Sequence, residues 1–544
     1  MKKIILLLAT ISFLSMLSYA QAPNWLWAKS AGGTDFDFAK SVAVDANGNT
    51  YVSGFFSSPS ITFGTNTLTN AGSRDMFLAK YDAIGNVVWA KSAGGANDDE
   101  MRSVKVDANG NTYVTGWFSS PTIAFGSNTL TNLGYRDIFI AKYDATGNVV
   151  WAKSAGGTGD DAAGSFSKDA TGNIYLAGYY ESPTLIFGST TLTNAGYGDI
   201  FLAKYDTVGN VVWAKSAGGT GLDGAGSFSM DASGNIYLAG YYESPTLIFG
   251  STNLTNAGSG DIFLVKYDAA GNVIWAKSAG GTGLDEAVSI AVDAYGNNYL
   301  AGYFSSFNLI FDSAILTSTG SEDIFLAKYN AAGNVVWAIR AGGNGDDKAY
   351  SVAVDASGNI YLAGSFLSST LIFGSTTLMN MGYEDIFLAK YDTDGNVFWA
   401  KSTGGNGNDY LNSVVVDVFG NTYVTGLFCS PTMVFGTTTL TNVGFCDIFL
   451  GKLNNDVGIN EFHKPNSISI YPNPSSDKLI IDFQSINDLK NITVSIYNIQ
   501  GKLLLQQAIK QTQIEINISS FAKGVYIIKV YNDNNIMVSK FIKE

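Results

Sequence analysis

A tryptophan followed by alanine returns every 62 residues, at Trp27, Trp89, Trp151, Trp213, Trp275, Trp337 and Trp399. Seven copies without an insertion define a repeat array. Residues 178–189 and 240–251 are identical, so some copies are recent duplicates. Each unit reads as β structure. In the second copy, 103–107 (SVKVD), 111–118 (NTYVTGWF), 138–143 (IFIAKY) and 149–153 (VVWAK) are predicted strands. Turns of the form D-x-x-G-N separate them, with Asp bonding the turn backbone and Gly supplying a positive φ. An EF-hand calcium loop is the rival for these turns, but its glycine spacing differs and each turn offers few oxygen donors.

Four antiparallel strands per unit and no helical period predict an all-β chain built on a seven-bladed β-propeller, with a β-solenoid as the rival. The innermost strand opens with Ser in every copy and stays narrow, as crowding near an axis requires. The seventh copy has a third strand at 447–453 and no fourth. Residues 24–29 (NWLWAK) copy the missing strand, and pairing the two would finish the seventh sheet and cover an exposed edge. The repeats resemble the bacterial SBBP propeller repeat over about 24–454, through SVAVD-x-x-GN-x-Y-x-x-G and DIFLAKYD-x-x-GN-V-x-WAK. That resemblance implies an exported β-propeller and transfers no catalytic residue.

Both ends read as addresses. Lys2 and Lys3 precede an apolar run and Ser18-Tyr19-Ala20, the pattern of a signal peptide at 1–20. The propeller is expected at 21–455, a linker at 456–466, and a small Ig-like β-sandwich of seven short strands at 467–544. From His463 onward nine Lys face six acidic residues, so the repeats hold the chain's net charge of −14. The tail resembles the type A C-terminal sorting domain of the type IX secretion system. The matching residues include Tyr471, Pro472, Asn473, Pro474, Gly524 and Tyr526. The resemblance implies contact with that machinery, export across the outer membrane of a Bacteroidetes-type cell, and surface attachment or release after tail removal.

Composition narrows the function. The negative charge argues against a nucleic-acid partner. The single His lies outside the repeats, so His-based catalysis and zinc chemistry are not expected. No cofactor, no metal and no membrane span in the exported form are expected, and a monomer is. The long loops should share one face, making it the candidate ligand face. Its variable positions are Arg74, Asp98, Glu100, Tyr135, Arg136, Tyr197, Glu322, Tyr383 and Glu384. The repeated acids Asp37, Asp99, Asp161, Asp223, Asp285, Asp347 and Asp409, and the Asp75 and Asp137 series, read as backbone caps rather than an anionic ring. The repeated Trp reads as sheet packing. Cys429 and Cys446 flank one loop and are expected to form a disulfide after export. The reading is a non-catalytic binding or adhesion scaffold for an extracellular protein or glycan. A structural coat component and a sialidase-like hydrolase built on the arginines are the alternatives.

Overall fold

The computed structural model describes residues 22–455, 469–482, 492–498, 502–509, 511–532 and 535–544, and every regular element among them is a strand. The expected leader and linker lie outside these residues. The chain divides into two compact units, Met1–Asn455 and Asp456–Glu544.

The first unit holds seven four-stranded antiparallel sheets. In the second, the strands are Asp99–Val106, Thr112–Phe118, Asp137–Tyr143 and Val149–Ala155, paired in chain order. They are termed the first to fourth strands below, and the same four recur in each sheet. The D-x-x-G-N turn closes as expected. Asp107 Oδ1 accepts from the Asn109 and Asn111 amides, both at 2.9 Å, and Oδ2 accepts from Asn111 Nδ2 at 3.0 Å. Gly110 takes φ 78°. The carboxylate is thus engaged by its own turn.

Two features differ from the sequence expectation. The first strand begins at Asp99, before the expected residue 103. Met101 pairs with Gly116 and Ser103 with Thr115, leaving Arg102 as a bulge. A bulge breaks the two-residue alternation, so the segment before it does not read as a strand. Gly116 faces that bulge, where an added Cβ would fall 1.9 Å from the Glu100 carbonyl oxygen. The second difference is a two-stranded hairpin, Thr122–Phe125 with Asn128–Thr131, where a loop was expected. Its Ile123 and Phe125 are buried, and Phe125 packs on Phe139 with ring centroids 5.2 Å apart.

Neighbouring sheets are joined by repeated hydrogen bonds. At five of the seven junctions the invariant Ser of the first strand accepts from the next sheet, as in Val104 N to Ser41 Oγ at 3.2 Å. The residue before each third strand bridges in parallel to the residue before the next first strand, as Arg74 does to Asp98. Both links recur between the seventh and first sheets. Val42 N donates to Ser413 Oγ at 3.2 Å, and Asp37 N donates to Cys446 O at 3.0 Å. The series of sheets therefore closes on itself. The seventh sheet is completed by Trp25–Ala31, antiparallel to Asp447–Leu453, with Trp25 edge-on to Phe435 at 4.8 Å. The repeated Trp packs between sheets: Trp89 is 8% exposed and donates Nε1 to Ala145 O, in the next sheet's turn, at 3.4 Å.

Cys429 and Cys446 are bonded, with Cα atoms 4.1 Å apart. Cys446 also supplies the carbonyl that receives the Asp37 amide, so the disulfide fixes the junction between last and first sheets. Replacing both cysteines by Ser is expected to cost roughly 3 kcal/mol, the chain-entropy value for a loop of about this length. A fall in the urea midpoint at unchanged slope checks it, and the wild type in reductant should fall alike.

The second unit pairs a three-stranded sheet, Ser469–Tyr471, Lys478–Asp482 and Gln513–Asn517, with a four-stranded one. The latter comprises Ile492–Asn498, Leu503–Ile509, Gly524–Asn532 and Asn535–Lys543. Leu479, Ile481 and Ile516 from one and Val494, Ile496, Ile528 and Phe541 from the other share a core. Asn473 ties the proline-rich segment to the last strand. Its Oδ1 accepts from Ile542 N at 2.9 Å, and its Nδ2 donates to Lys540 O at 3.3 Å.

Candidate functional site

Each first strand starts on a buried Asp. Asp99 Oδ1 accepts from the Ser119 and Ser120 amides at 3.1 Å, and Oδ2 accepts from Ser120 Oγ at 2.7 Å. Ser120 Oγ in turn accepts from Asn97 N at 2.9 Å. This cap recurs at Asp37, Asp161, Asp223, Asp285, Asp347 and Asp409. Asp137, which opens the third strand, accepts from Leu133 N at 2.9 Å and is likewise buried. These acids fix the loops and present no anionic surface.

Burial sets their titration. It pushes Asp37, Asp75, Asp261, Asp347 and Asp385 up to about 6 and Asp137 to about 7, from an ordinary 3.8. The exposed turn acids go the other way. Backbone hydrogen bonds from Asn148, with others in the turn, lower Asp144 to about 2. The buried set binds more protons folded than unfolded between about pH 4 and 7, so stability falls as pH rises through that window. The turn set adds stability above about pH 4 that is lost as pH falls toward 2. The melting temperature is therefore expected to peak near pH 4, where the two windows meet, and to drop by at least ~5 °C at pH 8. A scan of thermal unfolding against pH in constant salt checks the sign; a maximum at pH 8 would contradict it.

On this repeated frame, several columns near the long loops vary between copies. The bulge residue is Lys40, Arg102, Gly164, Gly226, Val288, Tyr350 or Asn412 from first to seventh sheet. Two residues earlier a second varied column faces a third across the strands: Phe38 pairs with Phe55, Glu100 with Trp117, Glu286 with Tyr303, and Lys348 with Ser365. A bulge re-aims its side chain, which is why such irregularities suit binding sites.

The columns form two charged clusters. In the first two sheets Glu100 is buried and bonds Arg102 Nε at 3.0 Å, with Lys40 Nζ at 3.7 Å. Burial opposes its ionisation, but Arg102 and Lys40 outweigh that and hold its carboxyl below the usual range. Arg136 lies over Trp117 at 4.1 Å and bonds Asp160 at 3.1 Å; Arg74 lies over Phe55 at 5.1 Å and sits 3.8 Å from Asp98. In the fifth and sixth sheets, the Tyr303 hydroxyl donates to Glu286. Lys348 lies over the Tyr303 ring at 4.4 Å and pairs with Glu322, and Ser365 donates to Glu384. Burial raises both Glu286 and Glu384.

The structure thus brings Arg74, Asp98, Tyr135 and Arg136 together, with Glu100 beneath the arginines, and places Glu322 and Glu384 in the second cluster. Tyr197 and Tyr383 are exposed at positions equivalent to Tyr135 and join neither cluster. Sequence reading passed over Lys40, Trp117, Glu286, Tyr303, Lys348 and Tyr350. Aligning the copies at their 62-residue period exposes them as varied positions between constant ones. Among the described residues, no group of three or more His, Cys, Asp or Glu side chains is placed to hold a metal.

An all-β repeat unit followed by a separate two-sheet unit is the class the fold defines. Residues 336–365 match the SBBP β-propeller repeat, and residues 469–544 match the secretion system C-terminal sorting domain. The protein therefore carries a propeller repeat and an export tail for the type IX system, whose machinery the tail engages. It is similar to an uncharacterized WD repeat-containing protein, L264, of Acanthamoeba polyphaga mimivirus, at 26% identity over 505 residues, covering 74% of this chain and 36% of that protein. It is also similar to a funoran endo-beta-hydrolase of Wenyingzhuangia aestuarii, at 36% identity over 77 residues, covering 14% of this chain and 10% of that protein. The chain spans only these minor shares of the curated relatives it matches. A solved structure of PorZ, a surface component of the type-IX secretion system of Porphyromonas gingivalis, aligns at 12% identity with a TM-score of 0.25, covering 93% of this chain and 81% of that chain.

Proposed function

We propose that the protein is an exported, monomeric seven-bladed β-propeller that binds an extracellular protein or glycan through its loop face, without chemistry on the ligand. The closed series of sheets is the propeller, the second unit is an Ig-like sandwich, and 1–20 is a cleaved leader. The sandwich directs the protein to the surface or the medium of a Bacteroidetes-type cell. The observation that carries this reading is the gathering of charged and aromatic side chains of the bulge column and its neighbours, Lys40, Arg102, Glu100, Trp117, Glu286, Tyr303 and Lys348, into clusters at the loop-bearing ends of the sheets. Packing alone gives no reason for Lys, Arg, Gly, Val, Tyr and Asn to alternate at one bulge.

A hydrolase reading would draw on the Tyr303–Glu286 pair. Each arginine it would need for a carboxylate clamp is already matched, Arg102 with Glu100, Arg136 with Asp160 and Arg74 beside Asp98, which favours binding. The test is an array of immobilised glycans and bacterial surface proteins. Retention should be lost on Arg136→Ala or Lys348→Ala and kept on Ile84→Ala, in a turn on the opposite face. Loss on Ile84→Ala alone would contradict the reading.

A further inference from the structure

The second sheet departs from the repeat where a cavity of about 350 Å³ opens. Asn97, Asp98, Ser119, Gly134, Tyr135 and Arg136 line it, with Ser73 from the first sheet. Asn97 stands where the third to seventh copies carry Gly159, Gly221, Gly283, Gly345 and Gly407. Arg136 and Asp98 also stand where the fourth copy has Gly260 and Leu222. This copy has therefore placed polar side chains where the fourth has none.

The donors and acceptors are held in place. Asn97 gives its backbone amide to Ser120 Oγ and one Nδ2 hydrogen to Ser119 O at 3.0 Å, which leaves Oδ1 and a second hydrogen. Arg136 is fixed between Trp117, at 4.1 Å, and Tyr135, at 5.5 Å, and bonds Asp160 with Nη1. The rest of its fork can donate. Asp98 lies 3.8 Å from Arg74 Nε, with its side chain 39% exposed, so its oxygens can accept from a ligand. Tyr135 is 65% exposed beside them.

A carboxylate acceptor, an amide, hydroxyls and a guanidinium beside an open aromatic ring match a neutral sugar. Adjacent ring hydroxyls donate to Asp98 and accept from Arg136 and Asn97, while the C–H face lies on Tyr135. The volume falls at the small end of ligand pockets, about 300–1,000 Å³, and suits one or two rings. An acidic sugar would meet the Asp98 carboxylate, with Arg136 already compensated by Asp160. We propose that this cavity binds a neutral hexose unit of a glycan. The proposal rests on the loop-face reading above and narrows it.

Saturation-transfer NMR on the full chain, with methyl glucoside, methyl galactoside, methyl mannoside and glucuronate, tests it. At least one neutral glycoside should bind with a Kd on the order of millimolar. Asp98→Asn and Tyr135→Ala should each weaken it about tenfold or more, the loss of a charge-assisted contact or of the stacking ring. Tyr197→Ala, the equivalent tyrosine of the third copy, should change nothing. Unchanged circular dichroism keeps the variants comparable. No neutral glycoside bound, glucuronate preferred, or equal loss on Tyr197→Ala would each overturn the proposal. A protein ligand retained on the array through Arg136 and Lys348, with no sugar bound here, would overturn this inference alone. The absence of any loop-face ligand would remove both.

Discussion

Removing residues 22–31 is expected to leave a protein that melts at least ~10 °C lower and forms oligomers. The deleted strand Trp25–Ala31 supplies the whole outer ladder of the seventh sheet along Asp447–Leu453. Its loss strips Trp25 from Phe435 and Trp27 from Tyr423, and opens part of a core that includes Ala28, Phe435, Phe449 and Leu453. Burial of two large aromatics and the ladder bonds together exceed ~5 kcal/mol. The edge left bare on Asp447–Leu453 is seven residues long and largely apolar, the kind that pairs with another chain. Thermal unfolding and light scattering of the truncated and intact proteins check this. Equal melting with no change in mass would remove the structural role of the strand.

Deleting residues 469–544 is expected to abolish extracellular protein almost completely in a cell carrying the type IX machinery, while the repeat unit still folds inside. The match to the sorting domain spans that whole segment, and the tail has its own core of Leu479, Ile481, Val494, Ile528 and Phe541. Its removal therefore takes away the export signal without opening the repeat unit. Immunoblots of medium, surface and cell fractions read the outcome. Asn473→Ala should give a partial form of the same defect, because Asn473 holds Ile542 and Lys540 in the final strand. Normal secretion of the truncated chain would show that the address lies elsewhere.

How much was legible in the sequence depended on whether a feature repeats. The 62-residue period, the D-x-x-G-N turns and the copied NWLWAK segment each recur as letters, and the structure holds paired strands at those places. The bulge at Arg102 and the hairpin at Thr122–Phe125 recur too, yet they were not read as such. A bulge removes the alternation by which a strand is recognised, and a four-residue strand between Pro121 and Gly126 resembles a loop in composition. Burial was the other hidden quantity. Glu100 reads as a surface charge, but its position opposite Trp117 and beside the bulge encloses it with Arg102 and Lys40. The invariant Ser was read for its small size. In five of the seven copies its hydroxyl also accepts an amide from the adjacent sheet, as Ser41 does from Val104, a role set by neighbours that lie a full repeat away in sequence.

The closed series of seven sheets is the claim on which the loop face, its varied columns and the hexose cavity all depend. A crystal structure of the full chain tests it most directly. The account predicts residues 25–31 antiparallel to 447–453 of the same molecule, with Trp27 beside Lys452 and the Asp37 amide on the Cys446 carbonyl. Residues 25–31 lying against another molecule, or a gap between the first and seventh sheets, would contradict it.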